Sequence, residues 1–156
     1  MVNGFEDIPS VIRREVLDLA WQAKKSHLGG ALSCVDILTA LYCGSILRYD
    51  VGNPEAEDRD RFIMSKGHGS MALYAILNYV GFISDDELAG FHTAGHFLQV
   101  HPSINLMKGI EISGGSLGQG LPLSCGIAKA LKMKGNFKSR VFCLLGDGEI
   151  NEGSIC

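Results

Sequence analysis

The chain has 156 residues, of which 46% are hydrophobic and 20% are charged, and its formal net charge is −3 at pH 7. This length suits one domain with a real hydrophobic core, and the composition is typical of globular proteins. Acidic and basic residues are interspersed, and no apolar run approaches the roughly 20 residues of a membrane helix. We therefore expect neither nucleic acid nor a membrane as a partner.

The five cysteines are odd in number, and none of them forms a C-x-x-C pair. This spacing favours reduced thiols over a zinc site or a disulfide framework, and it is typical of cytoplasmic proteins. The amino terminus also lacks the basic and then apolar pattern of a secretory signal. We therefore expect a cytoplasmic protein. The cysteines are Cys34, Cys43, Cys125, Cys143 and Cys156.

The first part of the chain predicts two helices. Apolar residues recur at helical spacing over residues 11–23, where Ser10 is the expected N-cap and the helix is expected to end near Ser26. A second helix is predicted over residues 33–47, because the hydroxyl of Ser33 can cap its first turn.

The middle of the chain predicts a loop, a strand and two more helices. Residues 50–60 are polar and contain proline, and they predict a loop. The short apolar run 61–65 predicts a buried strand, and residues 70–80 have helical spacing. Ser84 and Glu87 form a capping box that predicts the start of a short helix.

The last third of the chain predicts an irregular segment, a helix and a strand. Residues 93–115 are rich in glycine and irregular, residues 117–133 predict a long helix, and residues 140–145 predict a buried parallel strand. This order of elements predicts an α/β fold with a doubly wound, mostly parallel sheet. Ligands bind beyond the carboxyl ends of strands in such sheets, and glycine-rich turns follow both predicted strands.

The turn after the last strand, Gly146-Asp147-Gly148, has features of a metal and phosphate site. An aspartate between glycines can reach a divalent ion, and the N–H of Gly148 can approach a phosphate oxygen. Mg²⁺ often bridges a few carboxylates to substrate phosphates, so Asp147 alone cannot hold it. The alternative is an ordinary turn after a strand, and a bare G-D-G motif favours that alternative.

Three histidines, His27, His68 and His101, stand in separate glycine-rich or irregular segments. A lone histidine is usually structural, but three in such segments favour a shared site. Neutral imidazole donates and accepts hydrogen bonds near pH 7, and its cation binds phosphate. His92 and His96 are four residues apart, but an intervening glycine and the lack of nearby acidic or cysteine ligands argue against zinc.

A further glycine-rich loop over residues 114–120, GGSLGQG, leads directly into the long predicted helix. Such a loop can present backbone N–H and C=O groups to a polar ring or an anion. It does not fit the dinucleotide fingerprint G-x-G-x-x-G, and the chain contains no Walker loop. A nicotinamide enzyme is therefore a weak alternative.

Four segments resemble, in order and spacing, the amino-terminal, diphosphate-binding part of transketolase. The strings SKGHGSMALYA and GSLGQGL are specific, whereas G-D-G also occurs in deoxyxylulose phosphate synthase and dehydrogenase E1 subunits. The resemblance covers nearly the whole chain from residue 10 onward. The segments are KSHLGGALSCVDIL, FIMSKGHGSMALYAIL, HPSINLMKGIEISGGSLGQGLPLSCGIAKALK and VFCLLGDGEINEGSI.

The resemblance implies that residues 1–156 are part of a thiamine diphosphate-binding domain, incomplete at the C-terminal end. It implies that Asp147 binds Mg²⁺ or another divalent cation and that Gly148 contacts the diphosphate of the cofactor. His68 matches a histidine near that diphosphate. Glu152 matches an acidic residue near the subunit interface.

The resemblance also implies a substrate side of the site. His27 and His101 match histidines that help bind the sugar and manage its protons. The loop Gly115-Ser116-Leu117 matches the loop near the aminopyrimidine, although the family commonly has proline in place of Ser116. His27 is followed by leucine where the family commonly has proline, so the sugars can differ from the usual ones.

The activity implied is transfer of a two-carbon ketol unit from a ketose phosphate to an aldose phosphate. In the family, a downstream asparagine completes the metal site, and a separate pyrimidine-binding domain activates the cofactor. We therefore expect a truncated N-terminal subunit of the split type, inactive alone, whose partner is a C-terminal pyrimidine-binding subunit in a dimer or heterotetramer. Alternatives are a non-catalytic docking remnant, another thiamine diphosphate enzyme such as deoxyxylulose phosphate synthase, and a phosphate-binding α/β module.

Overall fold

A two-stranded parallel sheet lies at the centre of the computed structural model, which describes residues 7–24 and 27–155. Strand β1 (Arg61–Met64) pairs with β2 (Val141–Leu144), and Arg61 lies opposite Val141 while Met64 lies opposite Leu144. Parallel pairing places the carboxyl ends of both strands at one edge of the sheet. The α/β fold with a parallel sheet, predicted from the order of elements, is therefore confirmed.

The described residues contain six α-helices, none of them long and apolar enough to cross a membrane. Four described cysteines, Cys34, Cys43, Cys125 and Cys143, are free thiols, and Cys156 lies outside the described residues. Short 3₁₀ turns occur at Gly67–Gly69, Leu106–Lys108 and Gly148–Asn151. The helices are α1 (Ile8–Ala23), α2 (Leu28–Leu32), α3 (Val35–Cys43), α4 (Ser70–Tyr79), α5 (Asp85–Ala89) and α6 (Gly120–Met133).

Helix α1 begins earlier than its apolar pattern predicts. Its N-cap is Asp7, and Ser10 lies inside the helix, so the prediction of Ser10 as the cap is wrong. Pro9 occupies the first turn, where a missing N–H costs nothing because first-turn amides have no intrahelical partner. The helix ends at Ala23, and the predicted end near Ser26 lies outside the described residues.

The helix predicted over residues 33–47 is the shorter α3, and a helix that the sequence did not predict, α2, directly precedes it. Ser33 does not cap α3: its hydroxyl donates to the carbonyl of Gly30, 3.1 Å away, within the turn that closes α2. Cys34 occupies the N-cap position of α3 without a side-chain bond. A serine hydroxyl can bond backward as well as forward, and here the backward bond replaces the predicted cap.

The remaining predicted elements are found close to their predicted bounds. The capping box at the start of α5 is present, with the Glu87 N–H donating to Ser84 Oγ at 3.3 Å and the Ser84 N–H donating to Glu87 Oε2 at 2.9 Å. Helix α6 begins at Gly120 rather than at Leu117, because the glycine-rich loop continues three residues further.

Helices pack on both faces of the sheet. Phe62 and Met64 of β1 belong to one core cluster with the buried residues of α1, α3 and α4. Ile63, which points to the opposite face because side chains alternate along a strand, is also fully buried. Helix α6 contacts both strands. The arrangement agrees with the doubly wound pattern predicted from the sequence.

A buried carboxylate joins the amino ends of the two strands. Asp60 directly precedes β1, and its side chain is fully buried. It accepts hydrogen bonds from the Arg140 backbone N–H at 2.8 Å and from the guanidinium groups of Arg48 and Arg140 at 2.7 Å each. Burial opposes ionisation, but these bonds hold the pKa of Asp60 well below its usual range.

We expect Asp60→Asn to lower the free energy of unfolding by roughly 2–4 kcal/mol, since hydrogen bonds to charged groups contribute about 1.5–3 kcal/mol each. Because the folded-state pKa is lowered, this stabilisation is present above the unfolded-state pKa of about 3.9 and is lost as pH falls below it. Urea unfolding between pH 7 and pH 3 should therefore show a smaller acid-induced loss in Asp60→Asn than in the wild type.

The control is Asp36→Asn, which breaks an exposed ion pair with Arg13. Exposed pairs contribute at most about 1 kcal/mol, so this variant should unfold close to the wild type. Equal stability of the two variants would contradict the anchoring role of Asp60.

Candidate functional site

Two turns meet at the carboxyl edge of the sheet. The turn after β1, residues 65–69, contains His68, and the turn after β2, residues 146–149, contains Asp147. The backbone N–H of Ser65 donates to the carbonyl of Leu144 at 3.0 Å, which extends the strand pairing into the turns. The parallel register thus brings the segments of His68 and Asp147 to one side of the molecule.

The glycine-rich loop over residues 114–120 lies directly on the turn after β1. A Cβ added at Gly67 would lie 2.7 Å from the backbone nitrogen of Gly115, and one added at Gly120 would lie 2.6 Å from the Cα of Ser65. Only glycine permits backbones to approach this closely. The loop is thereby held beside the strand ends, together with Ser116 and Leu117, which are both exposed.

Three imidazoles from separate segments come together at this edge. The ring centroid of His27 lies 6.0 Å from that of His68 and 6.1 Å from that of His101. The segment of His101 is tied to the glycine-rich loop, because the Gly114 N–H donates to the carbonyl of Pro102 at 2.8 Å. His27 and His101 are exposed, whereas His68 is half-buried.

The environment of His68 favours its neutral form. Burial lowers the pKa of His68, and the neighbouring Lys66 and His27 lower it further. The imidazole is therefore mostly uncharged at pH 7 and can both donate and accept hydrogen bonds. Lys66 is 7% exposed, and its Nζ donates to Ser33 Oγ at 3.1 Å. Sequence reasoning missed this buried ammonium, since nothing in the pattern distinguishes it from a surface lysine.

Asp147 and Gly148 form the open part of the site. Both residues are exposed, and the Asp147 side chain makes no cap hydrogen bond to the 3₁₀ turn Gly148–Asn151 that follows it. A Cβ at Gly148 would meet no atom within 4 Å. The Asp147 carboxylate is therefore accessible to a metal ion, and the Gly148 backbone is accessible to a phosphate.

In residues 7–24 and 27–155, no group of three or more histidine, cysteine, aspartate or glutamate side chains could hold a metal ion. A divalent ion bound at this edge would therefore need ligands from outside such a cluster. His96 Nδ1 instead accepts the backbone N–H of Leu98 at 3.2 Å. The expectation that His92 and His96 do not form a zinc site stays a prediction.

Glu149 is a central residue that sequence reasoning did not identify. Its side chain is buried, and its carboxylate accepts hydrogen bonds from Ser65 Oγ and from the backbone N–H groups of Gly118 and Gly146. Burial alone would raise the pKa of Glu149, but these bonds lower it below its ordinary value. A glutamate that follows G-D-G is typical of a solvent-exposed turn, so the sequence does not predict the burial of Glu149.

Comparison with known proteins gives the family. Residues 6–155 match the family described as "Transketolase, thiamine diphosphate binding domain". The chain is 44% identical over 144 residues to an apulose-4-phosphate transketolase subunit of Phocaeicola vulgatus, covering 92% of this chain and 50% of that protein. It is 36% identical over 146 residues to 6-deoxy-6-sulfo-D-fructose transketolase subunit SqwG of a Clostridium species, covering 94% and 52%.

Solved structures agree with the sequence relatives. Transketolase from Leishmania mexicana superposes with a TM-score of 0.90 at 28% identity, over 99% of this chain and 24% of that chain. The chain therefore belongs to the transketolase family and has its thiamine diphosphate-binding α/β fold. It spans about half the length of these two transketolase subunits and about a quarter of human transketolase, to which it is 32% identical.

Two glycines of α6 provide a test of the close packing around the glycine-rich loop. In Gly120→Ala the added Cβ would collide with the backbone of Ser65, and we expect a loss of about 1–3 kcal/mol in the free energy of unfolding. In Gly126→Ala the Cβ meets no atom within 4 Å, and alanine favours the helix by roughly 0.5–1 kcal/mol. The urea midpoint of unfolding should therefore fall in Gly120→Ala and rise in Gly126→Ala. Midpoints that move in the same direction in both variants would contradict the packing described.

The lowered pKa of His68 can be measured by NMR titration of the imidazole protons. The wild type should titrate below 6.5, and Lys66→Gln should move the pKa of His68 upward without restoring 6.5, because burial remains. Lys132→Gln at the exposed end of α6 is the control and should leave the titration unchanged. A wild-type midpoint at or above 6.5 would contradict the described environment.

Proposed function

We propose that this chain is the diphosphate-binding part of a thiamine diphosphate-dependent transketolase that moves a two-carbon ketol unit from a ketose phosphate to an aldose phosphate. The observation that carries this proposal is the convergence of His27, His68 and His101 beside the strand edge from which Asp147 projects. Membership of the transketolase family supports the same conclusion.

The described residues fit thiamine diphosphate with a divalent cation. Asp147, exposed and without a cap bond, would bind Mg²⁺ or another divalent cation, and the N–H of Gly148 would contact a phosphate oxygen. The ammonium of Lys66 supplies positive charge behind His68, which lies on the diphosphate side. Thiamine diphosphate supplies the carbon nucleophile that protein side chains lack.

The backbone of Gly115, Ser116 and Leu117 would lie against the aminopyrimidine ring. The loop is fixed by close contact of Gly115 with Gly67, so its N–H and C=O groups are held in place before a ligand binds. Preorganised backbone groups bind a polar ring without the entropy cost of ordering a flexible loop.

His27 and His101 would hold the sugar and move protons at its hydroxyl groups. Both side chains are exposed, and they come from two separate segments, the start of α2 and the irregular segment before the glycine-rich loop. Imidazole exchanges protons near pH 7, which suits general acid and base steps on sugar hydroxyls.

We further propose that the chain works together with a C-terminal, pyrimidine-binding subunit, in a dimer or heterotetramer in the cytoplasm. Two relatives are themselves named as subunits of apulose-4-phosphate transketolases, and they align with 92% of this chain in one case and 97% in the other. Ketol transfer between xylulose 5-phosphate and ribose 5-phosphate should therefore require the partner subunit.

The role of Asp147 is tested by calorimetric titration of thiamine diphosphate with Mg²⁺ into the chain assembled with its partner subunit. Asp147→Asn should weaken binding at least tenfold, about 1.4 kcal/mol, because an amide is a poorer ligand for Mg²⁺ than a carboxylate. The control is Asp86→Asn, an exposed carboxylate in the first turn of α5, which should bind like the wild type.

Chelation of the metal sharpens this test. With EDTA the wild type should lose affinity to about the level of Asp147→Asn, and Asp147→Asn should lose little more, since both changes remove the same contact. Absence of thiamine diphosphate binding by the wild-type assembly would overturn the proposed function. Equal metal dependence of the wild type and Asp147→Asn would overturn the role of Asp147.

A further inference from the structure

We infer that Glu149 is a positioning residue whose buried carboxylate holds the three glycine-rich segments of the site at fixed separations before any ligand binds. The inference deepens the proposed function and rests on it for the identity of the ligand. It does not make Glu149 a catalytic group, because both carboxylate oxygens are occupied by protein donors.

The carboxylate joins three segments that are far apart in the chain. Glu149 Oε1 accepts from Ser65 Oγ at 2.5 Å, in the turn after β1, and from the Gly118 N–H at 2.9 Å, in the glycine-rich loop. Glu149 Oε2 accepts from the Gly146 N–H at 2.8 Å, in the turn after β2. One side chain therefore fixes two distances between segments and the shape of its own turn.

Each of these bonds lies directly beside a residue of the proposed site. Ser65 precedes Lys66, Gly118 follows Leu117, and Gly146 precedes Asp147. A shift at any of the three donors therefore moves the neighbouring residue of the site. This adjacency is what distinguishes Glu149 from an ordinary buried carboxylate.

A second contact holds the glycine-rich loop from its other side. Ser154 Oγ donates to the carbonyl of Gly118 at 3.0 Å, so the peptide groups at Gly118 are bonded to both Glu149 and Ser154. Residues 149–154 thus hold the loop from the carboxyl side of β2. The loop's position depends on this short segment rather than on α6 alone.

Only a carboxylate satisfies the three donors. Glu149 is 2% exposed, so water does not replace a lost acceptor. In Glu149→Gln the amide –NH₂ must face either the Gly146 N–H or the Ser65 and Gly118 donors, because glutamine offers a single acceptor oxygen. Glutamine keeps the volume of the side chain, so the variant changes the bonding and leaves the packing nearly intact.

The first measurement uses the full chain without ligand and follows hydrogen exchange by NMR. In Glu149→Gln the amides of Gly118 and Gly146 should exchange at least tenfold faster relative to the buried amides of α4. Asp60→Asn is the matched control: it neutralises a buried carboxylate at the opposite ends of the same strands. Its effect should be global, leaving the ratio of site amides to α4 amides as in the wild type.

The second measurement is the affinity of the assembled protein for thiamine diphosphate with Mg²⁺, together with turnover at saturating cofactor. Glu149→Gln should weaken cofactor binding at least tenfold while turnover at saturation stays within about threefold, because a positioning role acts on the assembly of the site. Ser65→Ala, which removes one of the three donors, should weaken binding at least threefold. The double variant should bind little worse than Glu149→Gln, since both changes act on one network.

The outcomes separate this inference from the proposed function. If the wild type does not bind thiamine diphosphate, the proposed function fails, and the exchange ratios alone decide the role of Glu149. Wild-type exchange ratios in Glu149→Gln overturn the inference even where the cofactor binds. If Glu149→Gln does not fold, Ser65→Ala decides: wild-type exchange at Gly118 together with wild-type cofactor affinity overturns the inference.

Discussion

The parallel pairing of β1 and β2 is the constraint on which the site depends. It fixes which ends of the strands share an edge, and a buried carboxylate reinforces each edge. At the amino ends, Asp60 bonds to Arg48 and Arg140, and at the carboxyl ends Glu149 bonds to the turns and to the glycine-rich loop. Two short strands of four residues each thereby hold segments that begin as far apart as residues 65 and 146.

The site at the carboxyl edge is built largely from backbone, and this explains its glycine content. Backbone groups can approach each other and a ligand only where side chains are absent, as at Gly67 and Gly120. The imidazoles of His27, His68 and His101 come together beside this glycine framework. The glycine framework sets the positions of these segments, and His27, His101 and Asp147 provide exposed polar groups.

Local patterns were predictable from the sequence, and contacts between distant residues were not. Apolar periodicity predicted α4 and both strands, and the Ser84 box predicted α5, because these signals depend on residues within one or two turns. The Ser33 prediction was wrong because its hydroxyl donates backward to Gly30, and the Ser10 prediction was wrong because Asp7 occupies the N-cap position of α1. The burial of Glu149 could not be predicted from the sequence, because its partner Ser65 lies 84 positions away in the chain.

Two carboxylates two residues apart, Asp147 and Glu149, have opposite environments, and this difference suits them to different roles. Glu149 is buried and its carboxylate accepts three hydrogen bonds from the protein, so it does not face the solvent from which an ion would bind. Asp147 is exposed and makes no cap bond, so its oxygens face outward. A carboxylate with the bonds of Glu149 is already paired with protein donors and would bind an ion poorly. Without Glu149, three buried donors would lack an acceptor, and leaving buried donors unpaired costs more free energy than the hydrogen bonds contribute. The G-D-G-E sequence therefore combines one solvent-accessible carboxylate with one that is bonded to the segments around it.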